Sequence, residues 1–137
     1  MTIDSIKNGI VIDHIPAGKA MALYRYLKLD RVECSVAILK NVVSEKLGRK
    51  DIIKVDEVLD LNWDVLGYLA PECTVNIIRE GREVEKRRPH LPEKLVGVIE
   101  CKNPRCITTI EQGLTHIFKL TDPEKGVYRC IYCESKA

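Results

Sequence analysis

Four cysteines in the C-terminal third constrain this chain more than any other feature. Cys101 and Cys106 enclose four residues, Cys130 and Cys133 enclose two, and 23 residues separate the pairs. If the intervening segment folds back as a hairpin, four thiolates meet at one point. That is the tetrahedral donor set Zn²⁺ takes at about 2.3 Å per bond. Asn103-Pro104-Arg105 and Ile131-Tyr132 would form the turns around the metal, with residues 115–120 and 127–130 as strands. Two disulfides, or four unrelated thiols, are the alternatives. Four cysteines leave no open coordination position, so the expected zinc is structural, one per chain. His116 is a further candidate ligand, but the four thiolates already complete the shell. Residues 101–137 are too few to hold a core unaided, so metal binding, on the order of 10 kcal/mol, is also their folding energy.

Residues before this segment read as a mixed α/β unit. A β-rich run, Gly9-Ile10-Val11-Ile12-Asp13-His14, ends at Pro16 and Gly18. Ala20, Leu23, Tyr24 and Leu27 then share one helical face. Val32, Cys34, Val36 and Ile38 alternate as a strand with one buried side, a loop holds Gly48, and Asp51 to Val55 form the next strand. Asp60 or Asn62 caps a helix whose inner face is Val65, Leu66 and Leu69, stopped by Pro71. Residues 73–78 form a fourth strand, and Glu80-Gly81 turns it into a fifth over residues 82–86. This is the β-α-β-β-α-β order of a split βαβ, ferredoxin-like sheet with an added hairpin strand. Pro89-His90-Leu91-Pro92 breaks the pattern, and residues 95–99 form an apolar strand at the junction. The expected fold is therefore α+β: a ferredoxin-like domain over residues 1–95, then a small all-β, rubredoxin-like zinc ribbon over residues 96–137.

Charge excludes some functions. Lys and Arg number 22 against 20 Asp and Glu, and aromatics are 5%. A protein that coats nucleic acid needs a basic excess and stacking aromatics. No apolar run is long enough to cross a bilayer, and the opening Met-Thr-Ile-Asp-Ser-Ile-Lys is not a signal peptide. No nucleic-acid or membrane partner is expected, and the location is cytoplasmic, where cysteines stay reduced. Cys34 and Cys73 fall in strand patterns and read as small buried hydrophobes.

Among the polar residues of the first domain, Lys54, Asn76 and Lys86 are candidates to converge with Asp13 on one pocket. Lysines suit phosphates as point charges; Asp and Asn suit a ribose hydroxyl or a base edge. No Walker or G-x-G-x-x-G motif is present.

The ordered motifs resemble a known family. Val11-Ile12-Asp13-His14-Ile15-Pro16-Ala17-Gly18, Gly48-Arg49-Lys50-Asp51-Ile52-Ile53-Lys54, Thr74-Val75-Asn76-Ile77-Ile78, Arg88-Pro89 and the spacing of the four cysteines resemble the regulatory chain of aspartate carbamoyltransferase. The resemblance covers essentially the whole chain. It implies a non-catalytic subunit of pyrimidine biosynthesis, with an allosteric domain that binds CTP, UTP or ATP and a zinc domain that docks on catalytic chains. It implies a regulatory homodimer within a dodecamer, and Mg²⁺ accompanying bound triphosphates. By the same resemblance, Asp13, Lys54 and the strand around Asn76 and Ile78 contact base and ribose, and Lys86 reaches the phosphates. Ile3, Asp4, Ser5 and Ile6 offer backbone groups to the base, and His14 and Lys50 lie toward the triphosphate end or a second nucleotide. Two residues depart from the pattern. Val43 stands where the family often has proline, implying a looser loop before Gly48, and Glu83 is expected near the phosphate end. The rival readings are a zinc-ribbon nucleic-acid-binding protein and a small enzyme using His14 or Cys34.

Overall fold

A computed structural model describes residues 6–137. The chain divides into two compact units, one ending at His90 and one running from Leu91 to Ala137. In the first, β1 (Gly9–Pro16) leads to α1 (Ala20–Tyr26), a 3-10 turn (Leu29–Arg31), β2 (Val36–Ser44), β3 (Gly48–Val55), α2 (Trp63–Leu69), β4 (Thr74–Arg79) and β5 (Arg82–Arg87). The sheet order is β2-β3-β1-β4-β5, every neighbouring pair antiparallel. This is the expected split arrangement with its added hairpin strand.

Ile10, Ile12, Ile15, Ile53, Val55 and Val75 alternate along their strands and are buried together with Leu23 of α1 and Val65 and Leu66 of α2. Burying each such side chain is worth about 1.5–3 kcal/mol, which makes this apolar layer the first unit's main support. Of the two candidate caps for α2, Asn62 is used: its Oδ1 accepts from the Asp64 and Val65 N–H groups. The β4–β5 turn puts both Glu80 (φ 52°) and Gly81 (φ 78°) in the left-handed region, as a two-residue hairpin requires. Gly9 is needed for a different reason: a Cβ there would run into the Val55 carbonyl and the Ile6 side chain.

The second strand differs from its expected place. It starts at Val36: the 3-10 turn ends at Arg31, and residues 32–35 follow it as a bend rather than as strand. It also runs on to Ser44, pairing Val43 with Arg49 and Ser44 with Gly48. The segment before Gly48 is thus a closed hairpin rather than a loose loop, with the Ser44 hydroxyl accepting from Leu47 N–H.

The second unit holds a three-stranded antiparallel sheet, β6 (Lys94–Val96), β7 (Ile117–Asp122) and β8 (Val127–Cys130), in that order. One turn of helix, α3 (Ile107–Ile110), is added to the expected all-β plan. The apolar strand expected over residues 95–99 is shorter, because Gly97 turns out of it with φ 68°. Leu95 sits opposite Phe118 in this sheet, so the division of the chain falls a few residues before the boundary read from the sequence. No helix among the described residues is long and apolar enough to cross a membrane.

Candidate functional site

Register assembles the first site. Ala37 lies opposite Lys54, Lys54 opposite Val11, Val11 opposite Asn76, and Asn76 opposite Lys86. Residues directly opposite one another project to the same face of a sheet. The adjacent rung, Ile12 with Ile53 and Val75, is fully buried on the core side. The row carrying Lys54, Asn76 and Lys86 therefore lies on the opposite, open face. Asp13 and Ile78 follow two residues from Val11 and Asn76 and share that face.

A bulge between Ile12 and Ile15 shapes one end of the row. His14 adopts φ 57°, and its N–H donates to Asp13 Oδ1 at 2.6 Å. Asp13 Oδ1 also takes Lys50 Nζ at 2.9 Å. Burial alone would raise the Asp13 pKa, but the Lys50 and His14 hydrogen bonds and their charges outweigh it and hold the carboxyl below 3.8. The His14 ring meets the Thr74 hydroxyl at 3.1 Å, not a cysteine. At the other end Glu83 lies opposite Ile78, across the Asn76–Lys86 rung from Asp13 and so away from Lys50. Between them, Asn76 Oδ1 is buried without a hydrogen-bond partner. Ile6 is buried; Ile3, Asp4 and Ser5 lie outside the described residues.

Asp51 is the residue that sequence reasoning missed. It shares the core-facing parity of Ile53 and Val55 and is fully buried. Its carboxylate accepts three backbone N–H groups: Gly18 at 2.9 Å, Ala20 at 3.2 Å and Asn41 at 2.8 Å. It thereby fixes the β1–α1 turn and the β2 bulge around Asn41, behind the Asp13–Lys50 pair. An acidic residue at the buried beat of an alternating strand was the available signal.

The second site is the cysteine cluster. The four Sγ atoms of Cys101, Cys106, Cys130 and Cys133 lie within 4.8 Å of one another. Cys101 and Cys133 are 3.6 Å apart, and Cys106 and Cys130 are 3.7 Å apart. A tetrahedron of thiolates about 2.3 Å from a central metal has edges of about 3.8 Å, so the donors fit zinc. A disulfide, at about 2.05 Å, is excluded. Two turns hold the ligands. Asn103 O accepts from Cys106 N–H, and Cys130 O accepts from Glu134 N–H, where Glu134 is left-handed at φ 63°. His116 is not a ligand: its Nδ1 accepts the Cys101 N–H at 3.0 Å. Around the sulfurs, hydrogen bonds from the Ser135 side chain and backbone draw Cys133 down to about 6, while burial pushes Cys101 up to about 12.

The remaining thiols are unsuited to nucleophilic work. Cys73 is fully buried, and burial pushes it up to about 12. Cys34, half-buried before β2, is raised by burial and then by Glu57.

Two family models match the chain, one on each unit. The family model described as aspartate carbamoyltransferase regulatory chain, allosteric domain, matches residues 1–90, and that chain's metal binding domain matches residues 93–137. The regulatory chain of Bifidobacterium longum is 47% identical over 137 residues, 100% of this chain and 99% of its own. That of Clostridium acetobutylicum is 49% identical over 134 residues, 98% of this chain and 92% of its own. That of Clostridium tetani is 50% identical over 135 residues, 98% and 94% of the two chains.

Proposed function

The chain belongs to the family of aspartate carbamoyltransferase regulatory chains, and from that premise we propose how its two units do the regulating. It is a non-catalytic subunit of pyrimidine biosynthesis that associates with a catalytic chain. The effector is a nucleoside triphosphate, CTP, UTP or ATP, bound on the open face of the first sheet. Its base lies toward Ile78 and residues 3–6, its ribose against Asp13 and Lys54, and its phosphates at Lys86. His14 and Lys50 serve the triphosphate end or a second nucleotide, with Mg²⁺ travelling on the phosphates. Glu83 then stands on the base side of Lys86, where it does not oppose the Lys50 end.

One observation carries this reading. A single row runs Lys54, Val11, Asn76, Lys86 across the sheet, so the unpartnered Asn76 Oδ1 belongs to the strand next to Lys86, with Lys54 two strands away on its other side. Cationic groups flanking a free acceptor suit a ligand that has both phosphate oxygens and hydroxyl or amine donors.

Cys101, Cys106, Cys130 and Cys133 hold one structural zinc, which keeps the second unit folded for docking on the catalytic chains. The assembly is a cytoplasmic dodecamer in which regulatory dimers bridge catalytic trimers. Control requires two quaternary states of unequal nucleotide affinity, and a coupling of about 1–3 kcal/mol suffices.

Calorimetry tests the pocket. Lys86→Ala is expected to weaken triphosphates by about 1.5–3 kcal/mol, the value of a charge-assisted hydrogen bond, and nucleosides far less. A wild-type chain that binds none of CTP, UTP or ATP at millimolar concentration, with or without Mg²⁺, defeats the assignment.

A further inference from the structure

The edge strand of the first sheet carries an irregularity that moves a charge. On β5, Lys86 lies opposite Asn76 and Glu85 opposite Ile77, but Glu83 lies opposite Ile78. The register slips there by one residue, with Val84 as the extra residue of a bulge. Side chains alternate along a strand, so without the slip Glu83 and Lys86 would project to opposite faces of the sheet. With it, Glu83 joins Ile78, Asn76 and Lys86 on the open face. The two-residue step from Asn76 to Ile78 sets Glu83 and Lys86 about 7 Å apart along that face. Both are exposed, and neither takes part in the ion pairs among the described residues, which are Lys50–Asp13 and Arg87–Glu85. Glu83 is the one charge in its row: Gly9 lies opposite Ile78, and Ile78 opposite Glu83. Ile78 is half-buried, and the buried Ile6 closes against Gly9, so the row is apolar up to the carboxylate. Arg79, Arg82 and Glu85 share the parity of Ile77 and project to the other face.

We infer that Glu83 selects the effector by its base, favouring an exocyclic amine over a keto oxygen. This rests on the site proposed above, in which the base lies toward Ile78 and the phosphates at Lys86. An ionised carboxylate accepts hydrogen bonds and donates none. The N4 amine of cytosine and the N6 amine of adenine can each donate to it. Uracil presents the O4 lone pairs instead, so two acceptors meet with no proton between them. A base that lacks the donor leaves the acceptor unmet and is rejected for that reason. Ile78 and Ile6 give the ring an apolar surface but cannot tell one base from another. The bulge is what brings a discriminating group to the same edge.

Calorimetry on the full-length chain with CTP and UTP tests this. The wild type is expected to hold CTP at least about tenfold more tightly than UTP. Glu83→Gln keeps the size of the side chain and adds an N–H donor, so it can meet either base. Its preference should fall to within about twofold, chiefly because UTP binds more tightly. Lys86→Ala should weaken both triphosphates and leave their ratio as it was, because it removes a phosphate partner and not a base partner. A wild type that binds CTP and UTP equally overturns the inference. So does a Glu83→Gln change that shifts CTP and UTP by the same factor, with or without Mg²⁺, since the carboxylate would then act through charge or a shared metal alone. Those outcomes leave the effector site standing. A wild type that binds neither nucleotide, nor ATP, defeats the site and the role of Glu83 together.

Discussion

The first unit buries isoleucine, valine and leucine between a five-stranded sheet and two helices, and the one buried carboxylate among its described residues, Asp51, is matched by three backbone donors. The second unit offers little such material: Leu95, Ile99, Phe118 and Tyr128 are its buried apolar side chains besides the cysteines. Its interior is organised instead around four sulfurs brought to metal-binding distance by two turns. A hydrophobic core forms without any ligand, whereas a thiolate cluster without metal sets ionisable groups against one another. The two halves should therefore come apart under different insults. The first half should resist chelation, and the second should depend on the metal.

The sharpest way to break this comparison is to remove the metal. Chelation, or Cys106→Ser, is expected to take away on the order of 10 kcal/mol of folding energy from the second unit alone. Amide exchange should show residues 91–137 opening while the protection of strands β1, β3 and β4 persists. Equal loss of protection in both units would mean that the first depends on the second.

The reverse experiment strikes the first unit. Asp51→Ala strands three N–H donors, each costing about 1–3 kcal/mol when left unsatisfied, so a loss of at least about 3 kcal/mol is expected by urea denaturation. Asp51→Asn keeps acceptor capacity and should lose less. Zinc content should not change in either variant, and a fall in zinc would contradict the separation.

The smallest effect concerns acid. The Asp13 carboxyl is held below its unfolded value, so its pair with Lys50 contributes stability fully above about pH 4. That contribution is lost as the pH falls through the lower folded value. Asp13→Asn should flatten the acid limb of the first unit's stability curve and leave the neutral region less stable throughout. An unchanged acid limb would show that the pair adds nothing to folding.

Much of this was legible in the residues, for identifiable reasons. Strand alternation, the Glu80-Gly81 turn and the cap at Asn62 each depend on chemistry within a few positions, and each is found. The cysteine spacing survives because a closed metal shell depends on ligand type and turn length alone. Three features were hidden. Val32 and Cys34 continue the alternation of β2 by composition, but the bend over residues 32–35 has no periodic signature to warn that the strand starts later. Gly97 ends β6 through a single dihedral. The convergence of Lys54, Asn76 and Lys86 depends on cross-strand register, which bulges at Asp13–His14 and near Val84 adjust by single residues. Composition marked those lysines as candidates; only the pairing places them in one row on one face.

Trp63, where α2 begins, is the one tryptophan in the chain, and the Arg87 guanidinium lies 4.0 Å from its ring centroid. Arg87 follows Lys86 on β5 and projects to the opposite face of the sheet. Excited at the red edge of the aromatic band, where tyrosine is silent, the molecule emits from the first unit alone. A shift of β5 that draws the guanidinium off the indole changes that emission, since the excited ring responds to a charge over its face. The chain thus carries its own optical label on the strand that bears Lys86, and the zinc-binding unit stays dark in the same measurement.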